Sequence, residues 1–78
     1  MPTVLFIFGL RFYFYSEEHL PIHIHVKNGD GKAKINVVSL EIMENKGLKP
    51  ADIKKAVEIV KLFQDDIIQA WNEYFDEE

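Results

Sequence analysis

The chain of 78 residues contains no cysteine, so no disulfide staples it and no thiolate can hold a metal. That absence fits a reducing compartment, and a cytoplasmic location is the expectation. Basic residues are in the minority: nine Lys+Arg stand against 13 Asp+Glu, for a formal net charge of −4. This excludes a protein coated on all sides with positive charge for wholesale polyanion binding. Long apolar runs are absent too. Residues 4–10 are apolar, but Arg11 interrupts them well short of the roughly 20 residues that a membrane helix needs. No basic residue precedes this run and no small-residue cleavage site follows it, which argues against a signal peptide. There is no internal repeat and no low-complexity segment.

The apolar content is high, with 47% hydrophobic and 13% aromatic residues, so the chain is not a disordered tail. The length leaves room for one small domain, residues 1–78, built on a dense core or completed by a partner. Charge is unevenly spread. Residues 1–40 carry four cations (Arg11, Lys27, Lys32, Lys34) against three acids, a balance of +1, whereas residues 41–78 carry five lysines against ten acids, a balance of −5. All three histidines lie in the first half, so an anion site is expected there.

Residues 3–8 and 10–15 are rich in aromatic and β-branched side chains and read as strands, with Gly9 as a kink or bulge between them. Residues 16–21 form a turn, since Ser16 and two acids cluster ahead of Pro21. Residues 22–27 alternate strictly: Ile22, Ile24 and Val26 against His23, His25 and Lys27. Asn28-Gly29-Asp30-Gly31 is a hairpin turn. It matches neither a phosphate loop nor a calcium loop, because no helix follows it and no acid stands at the bidentate position. Residues 32–38 alternate again, and residues 40–43 make a further short strand or a continuation past a bulge near Ser39, closed by Asn45-Lys46-Gly47.

From residue 49 the pattern turns helical. Pro50 suits a first helical position and Asp52 the positive end of the dipole. Ile53, Ala56, Val60, Phe63, Ile67, Ala70 and Tyr74 recur in steps of three and four, and Val57, Ile59 and Trp71 widen that stripe. An unbroken helix of about 25 residues would be roughly 40 Å long, twice the reach of a six-residue strand of about 20 Å. It therefore either breaks near Gln64-Asp65-Asp66 or packs its second half (Ile67, Ile68, Trp71, Phe75) on something else, for which a second copy of the chain is the simplest candidate. The closing acids, Asp76-Glu77-Glu78, oppose the helix dipole and predict fraying.

The expected fold is α+β: an antiparallel sheet of three to five strands over residues 1–48, with one long, straight or kinked, C-terminal helix over 49–76 packed on one face. The expected core is Phe12, Phe14, Ile22, Ile24, Val26, Ile35, Val37, Ile53, Val57, Val60, Phe63 and Ile67. The period of two then sends His23, His25, Lys27, Lys32, Lys34 and Asn36 to the opposite face, joined by Arg11, Tyr13 and Tyr15. Polar outer faces are usual for antiparallel sheets, and the ordinary reading is a wet face whose tyrosines cover backbone. The functional reading is a ligand-binding face of Arg11, Tyr13, His23, His25 and Lys34, on which cations hold phosphates while aromatics stack bases.

The spacing His19-x3-His23-x-His25 offers two further chemistries. Three imidazole nitrogens, with Glu17 or Glu18 as an oxygen donor, would make an open zinc site of hydrolytic type. Alternatively His23 and His25 are candidate catalytic groups, acting as general acid and base on a phosphodiester with Lys34 or Arg11 stabilising the anion, which is metal-free ribonuclease chemistry. Both compete with the ordinary role of imidazoles that hydrogen-bond near a turn.

Several segments together resemble a known family. They are Met1-Pro2-Thr3, Phe8-Gly9-Leu10-Arg11-Phe12-Tyr13-Phe14-Tyr15, Glu18-His19-Leu20-Pro21-Ile22-His23-Ile24-His25-Val26, Gly29-Asp30-Gly31-Lys32-Ala33-Lys34-Ile35 and Ile67-Ile68-Gln69-Ala70-Trp71-Asn72-Glu73-Tyr74-Phe75. The chain resembles the small bacterial family called Domain of Unknown Function 4160 along essentially its whole length, with the acid-His-x-Pro-x-His-x-His core as the most specific part. It departs from many relatives at Ile22, where they carry a second proline, and at Ile24, where they carry an aromatic. The resemblance brings no catalytic residue list. It implies a stand-alone protein often encoded beside another small protein, an arrangement that has suggested toxin–antitoxin pairing.

The leading expectation is thus a binding protein, of toxin–antitoxin type, that contacts an anionic ligand, nucleic acid or protein, through its His/Lys/Arg/Tyr sheet face. The rival is a small enzyme, either a His-dependent ribonuclease or a zinc hydrolase using His19, His23 and His25. A third reading is an interaction protein or homodimer working through the C-terminal helix and Trp71 and Phe75. No membrane is expected as a partner.

Overall fold

The computed structural model describes residues 3–14 and 20–75. Tyr15, the proposed oxygen donors Glu17 and Glu18, His19 and the closing acids all lie outside the described residues. Five strands form one antiparallel sheet in chain order: β1 (Thr3–Ile7), β2 (Leu10–Tyr13), β3 (His23–Asn28), β4 (Gly31–Asn36) and β5 (Ile42–Lys46). Two helices follow, α1 (Pro50–Leu62) and α2 (Gln64–Phe75). The fold is α+β, as the two kinds of periodicity predict.

The first hairpin corrects the expectation at Gly9. Residue 9 is not a bulge. Phe8 and Gly9 together form a two-residue loop, with Ile7 opposite Leu10, and both loop residues have positive φ, 55° and 76°. Two left-handed residues in succession match the right-handed twist of the flanking strands. The bulge sits within β1 itself, between Thr3 and Leu5. The second hairpin is the expected one: Asn28 pairs with Gly31 around a Gly29-Asp30 loop. A Cβ on Gly31 would lie 2.6 Å from the carbonyl oxygen of Gly47, so only glycine lets the start of β4 pass the end of β5.

β4 reaches β5 through a turn knotted by Asn36, whose side-chain carbonyl accepts the backbone N–H groups of Val38 and Ser39 at 2.9 Å each. β5 itself runs to Lys46, three residues past the predicted end, and is exposed throughout.

The apolar faces of β2, β3 and β4 meet both helices in one core. Leu10, Phe12, Phe14, Ile24, Val26, Ala33, Ile35 and Val37 pack with Leu48, Ile53, Ala56, Ile59, Val60, Ile67 and Trp71. Of the expected core, Ile22, Val57 and Phe63 are only partly buried.

The single long helix is replaced by two. The chain leaves helical geometry at Phe63, one residue before the predicted break, with φ −106° and ψ 23°. Each helix of 12 or 13 residues is about 18–20 Å long, matched to the strands beneath it. Gln64 secures the bend: its side-chain amide donates to the Val37 carbonyl at 2.7 Å. Asp65 and Asp66 then occupy the first turn of α2, where the dipole favours acids. Past the bend Ile67 and Trp71, both in the predicted stripe, are buried, whereas Ala70 is only partly buried and Tyr74 is exposed. The overhang that suggested a second copy of the chain is therefore taken up inside the molecule.

Candidate functional site

The pairing register builds the outer face row by row. Side chains directly opposite across an antiparallel ladder share a face, with Cβ atoms about 4.5–5.5 Å apart. Phe6 stands opposite Arg11, Arg11 opposite Lys27, Lys27 opposite Lys32, and Lys32 opposite Lys46. Leu5 and Ile7 pack against the core, so the alternation turns Phe6 outward. One row across all five strands thus carries an aromatic and four cations, with no acid in it. The neighbouring row runs Tyr13, His25, Lys34, Glu44, and the next pairs His23 with Asn36.

The five predicted ligand-binding residues, Arg11, Tyr13, His23, His25 and Lys34, share this face, yet they differ in depth. Tyr13 is 4% exposed and His23 is 6% exposed, so neither is the wet side chain that strand alternation predicts. The reason for His23 is tertiary: Trp71 of α2 reaches the end of the sheet and packs its ring 5.4 Å from the imidazole. Tyr13 lies under the Arg11 guanidinium, 5.4 Å above its ring, and stacks on His25 at 5.4 Å with 22° between planes. His25 in turn meets the edge of His23 at 5.3 Å. Arg11, Tyr13, His25, His23 and Trp71 form a continuous file of ring contacts. It ties the outer face to α2.

The His23 tautomer follows from its partner. Nδ1 lies 2.8 Å from the Pro21 carbonyl oxygen, which can only accept, so Nδ1 carries the proton in that bond. Among the described residues no three His, Cys, Asp or Glu side chains come together as a metal-binding group. The proposed zinc set needs His19, which is outside the described residues.

The accessible part of the face is its lysine end. His25, Lys32, Lys34, Glu44 and Lys46 surround an open cleft of about 150 Å³ between β3, β4 and β5. Between described residues the one ion pair is here, Lys46 Nζ to Glu44 Oε2 at 3.1 Å. That hydrogen bond and the Lys46 charge hold the Glu44 carboxyl below its usual range, and Lys34 and Lys32 add to the effect. A lone carboxylate among three ammonium groups leaves the cleft cationic, a place for an anion.

Sequence pattern alone does not single out Lys46 or Phe6. Lys46 belongs to an all-exposed strand with no apolar alternation to reveal it, and the facing of Phe6 depends on the β1 bulge.

The sequence model of a family described as "Domain of unknown function (DUF4160)" matches residues 9–72. No curated protein and no solved structure matches the chain. None of the described helices is long and apolar enough to cross a membrane.

Proposed function

The chain belongs to the DUF4160 family, and from a membership that names no activity we propose that it is a binding module holding an anionic ligand, nucleic acid or protein, on the outer face of its sheet. The observation that carries this reading is the file Arg11, Lys27, Lys32, Lys46. Like charges placed directly opposite across strands destabilise a sheet, and alternating signs would have served stability better. A sequence with an excess of acids nevertheless gathers its cations here. Anion binding repays that arrangement, because each phosphate or carboxylate relieves the repulsion as it docks. Pairing with another small protein, in the manner of a toxin–antitoxin couple, belongs to the same proposal.

The test is binding at graded salt. Removing one lysine that neutralises a phosphate should reduce the slope of log K against log salt by about 0.7 for a single strand. Lys27→Ala should therefore bind more weakly and with a shallower slope than the unchanged chain. Absence of binding at low salt to any polyanion would remove the reading.

A second reading rests on the two adjacent imidazoles, 5.3 Å apart, with the His23 ring oriented by Pro21. In it, the half-buried His25 beside Lys34 and the cleft is the proton-transfer group of a small ribonuclease, or one ligand of a zinc hydrolase. His25→Ala would then abolish cleavage of RNA without unfolding the protein, whereas a pure binding module cleaves nothing.

A further inference from the structure

We infer that the ligand of the cation row is a single-stranded nucleic acid, and that Phe6 is the residue on which a base stacks; this rests on the anion-binding reading above. Tyr13, the aromatic that the sequence pattern offers for stacking, is 4% exposed and closed in by Arg11 and His25. Its ring faces are not open to a base. Phe6 is 74% exposed and stands in the same cross-strand file as the four cations, directly opposite Arg11. At about 4.8 Å between strands, Phe6 to Lys46 spans four steps, or roughly 19 Å. A backbone laid along that file meets Arg11, Lys27, Lys32 and Lys46 in succession and presents a base to the ring at its end.

An aromatic platform in line with cations is the pattern that holds unpaired strands, because every base has a flat face to stack. A duplex keeps those faces covered. A large apolar side chain this exposed on an edge strand also invites aggregation, a cost that a stacking role offsets.

The experiment compares three fluorescent probes of matched charge at low and physiological salt: a thymidine decamer, an abasic deoxyribose-phosphate strand of the same length, and a poly-glutamate peptide. The decamer should bind at least about fivefold more tightly than the abasic strand, the lower end of what one stacked base contributes. Phe6→Ala should lower decamer binding by between about 5- and 150-fold and leave the abasic strand unchanged. Phe6→Tyr should restore it, which separates stacking from damage to the fold. Lys27→Ala should weaken both strands.

Equal binding of the two strands, with Lys27→Ala still weakening both, would overturn the stacking role and leave the anion face standing. Tighter binding of poly-glutamate would assign the face to an acidic protein and overturn the inference. A Phe6→Ala change that only dissociates a dimer, seen by light scattering with decamer binding intact, would make Phe6 a self-association contact and also overturn it. If no probe binds even at low salt, the underlying reading fails and takes this one with it.

Discussion

Lys27 and Lys32 stand directly opposite one another across the β3–β4 hairpin, each with a further cation on its far side, Arg11 beyond Lys27 and Lys46 beyond Lys32. Neither lysine has a cross-strand acid. Lys46 is offset in part by its ion pair with Glu44, but no acid separates Arg11, Lys27 and Lys32 along the row, and the proposed ligand-binding face rests on that placement.

Reversing one charge in the file should separate stability from function. Lys27→Glu places an acid between Arg11 and Lys32, two favourable cross-strand pairs in place of two unfavourable ones. Stability should rise by about 0.5 kcal/mol, which is about 2–4 °C in Tm for a domain this small. The gain should shrink at high salt, and polyanion binding should weaken in the same variant. Thermal melts at two ionic strengths check it, and a lowered Tm at low salt would contradict it.

Glu44 should titrate below the ordinary glutamate range, held there first by its hydrogen bond from Lys46 and the charge of that ammonium, then by Lys34 and Lys32. A carboxyl whose folded value is depressed contributes stability that is complete above its unfolded value. That contribution disappears as pH falls through the folded value. Glu44→Gln should therefore melt slightly below the unchanged chain at neutral pH and converge with it in acid, a small and salt-sensitive effect at this exposed position. The same variant should bind anions more tightly, since the cleft loses its one carboxylate. A carboxyl carbon titration by NMR reads the midpoint, and a value at or above the ordinary one would refute this account of the cleft.

Gln64→Ala should cost about 1 kcal/mol, because it removes the hydrogen bond from the helix bend to the Val37 carbonyl. Urea denaturation measures it. A neutral result would mean that the bend is held by the packing of Phe63 and Ile67 alone.

Gly31→Ala should cost about 1–3 kcal/mol, since the new methyl would come within 2.6 Å of the Gly47 carbonyl oxygen, which is backbone and cannot rotate away. The clash pushes β5 from β4, so Lys46 should leave the cation file and polyanion binding should weaken as well. Loss of stability with binding unchanged would show that Lys46 does not belong to the ligand surface.

The sheet faces are readable wherever a strand alternates. His23, His25 and Lys27 oppose Ile24 and Val26 on any register, because side chains change sides at each residue. The helix break is only half readable: a helix of about 25 residues outruns strands of about six, but that mismatch is met equally by a break or by an overhang packed on a second copy, and the periodicity itself runs on without interruption. The Phe8-Gly9 loop is not, because its first residue is a phenylalanine at positive φ, a conformation that aromatic side chains rarely take. β5 escapes in its second half because exposed polar residues carry no periodic signature. The burial of His23 is invisible for a different reason: it depends on Trp71, far along the chain, arriving over the end of the sheet. Local pattern assigns a side chain to a face, whereas long-range packing decides whether that face is wet.

The most direct measurement is a two-dimensional NMR titration of the intact chain with a short single-stranded oligonucleotide at low salt, following backbone amides and lysine side chains. Binding on this face should shift the resonances of Phe6, Arg11, Lys27, Lys32 and Lys46 across the five strands, with the shifts fading as salt is raised. Shifts confined to the exposed lysines of α1, Lys54, Lys55 and Lys61, or a spectrum that does not change, would contradict it.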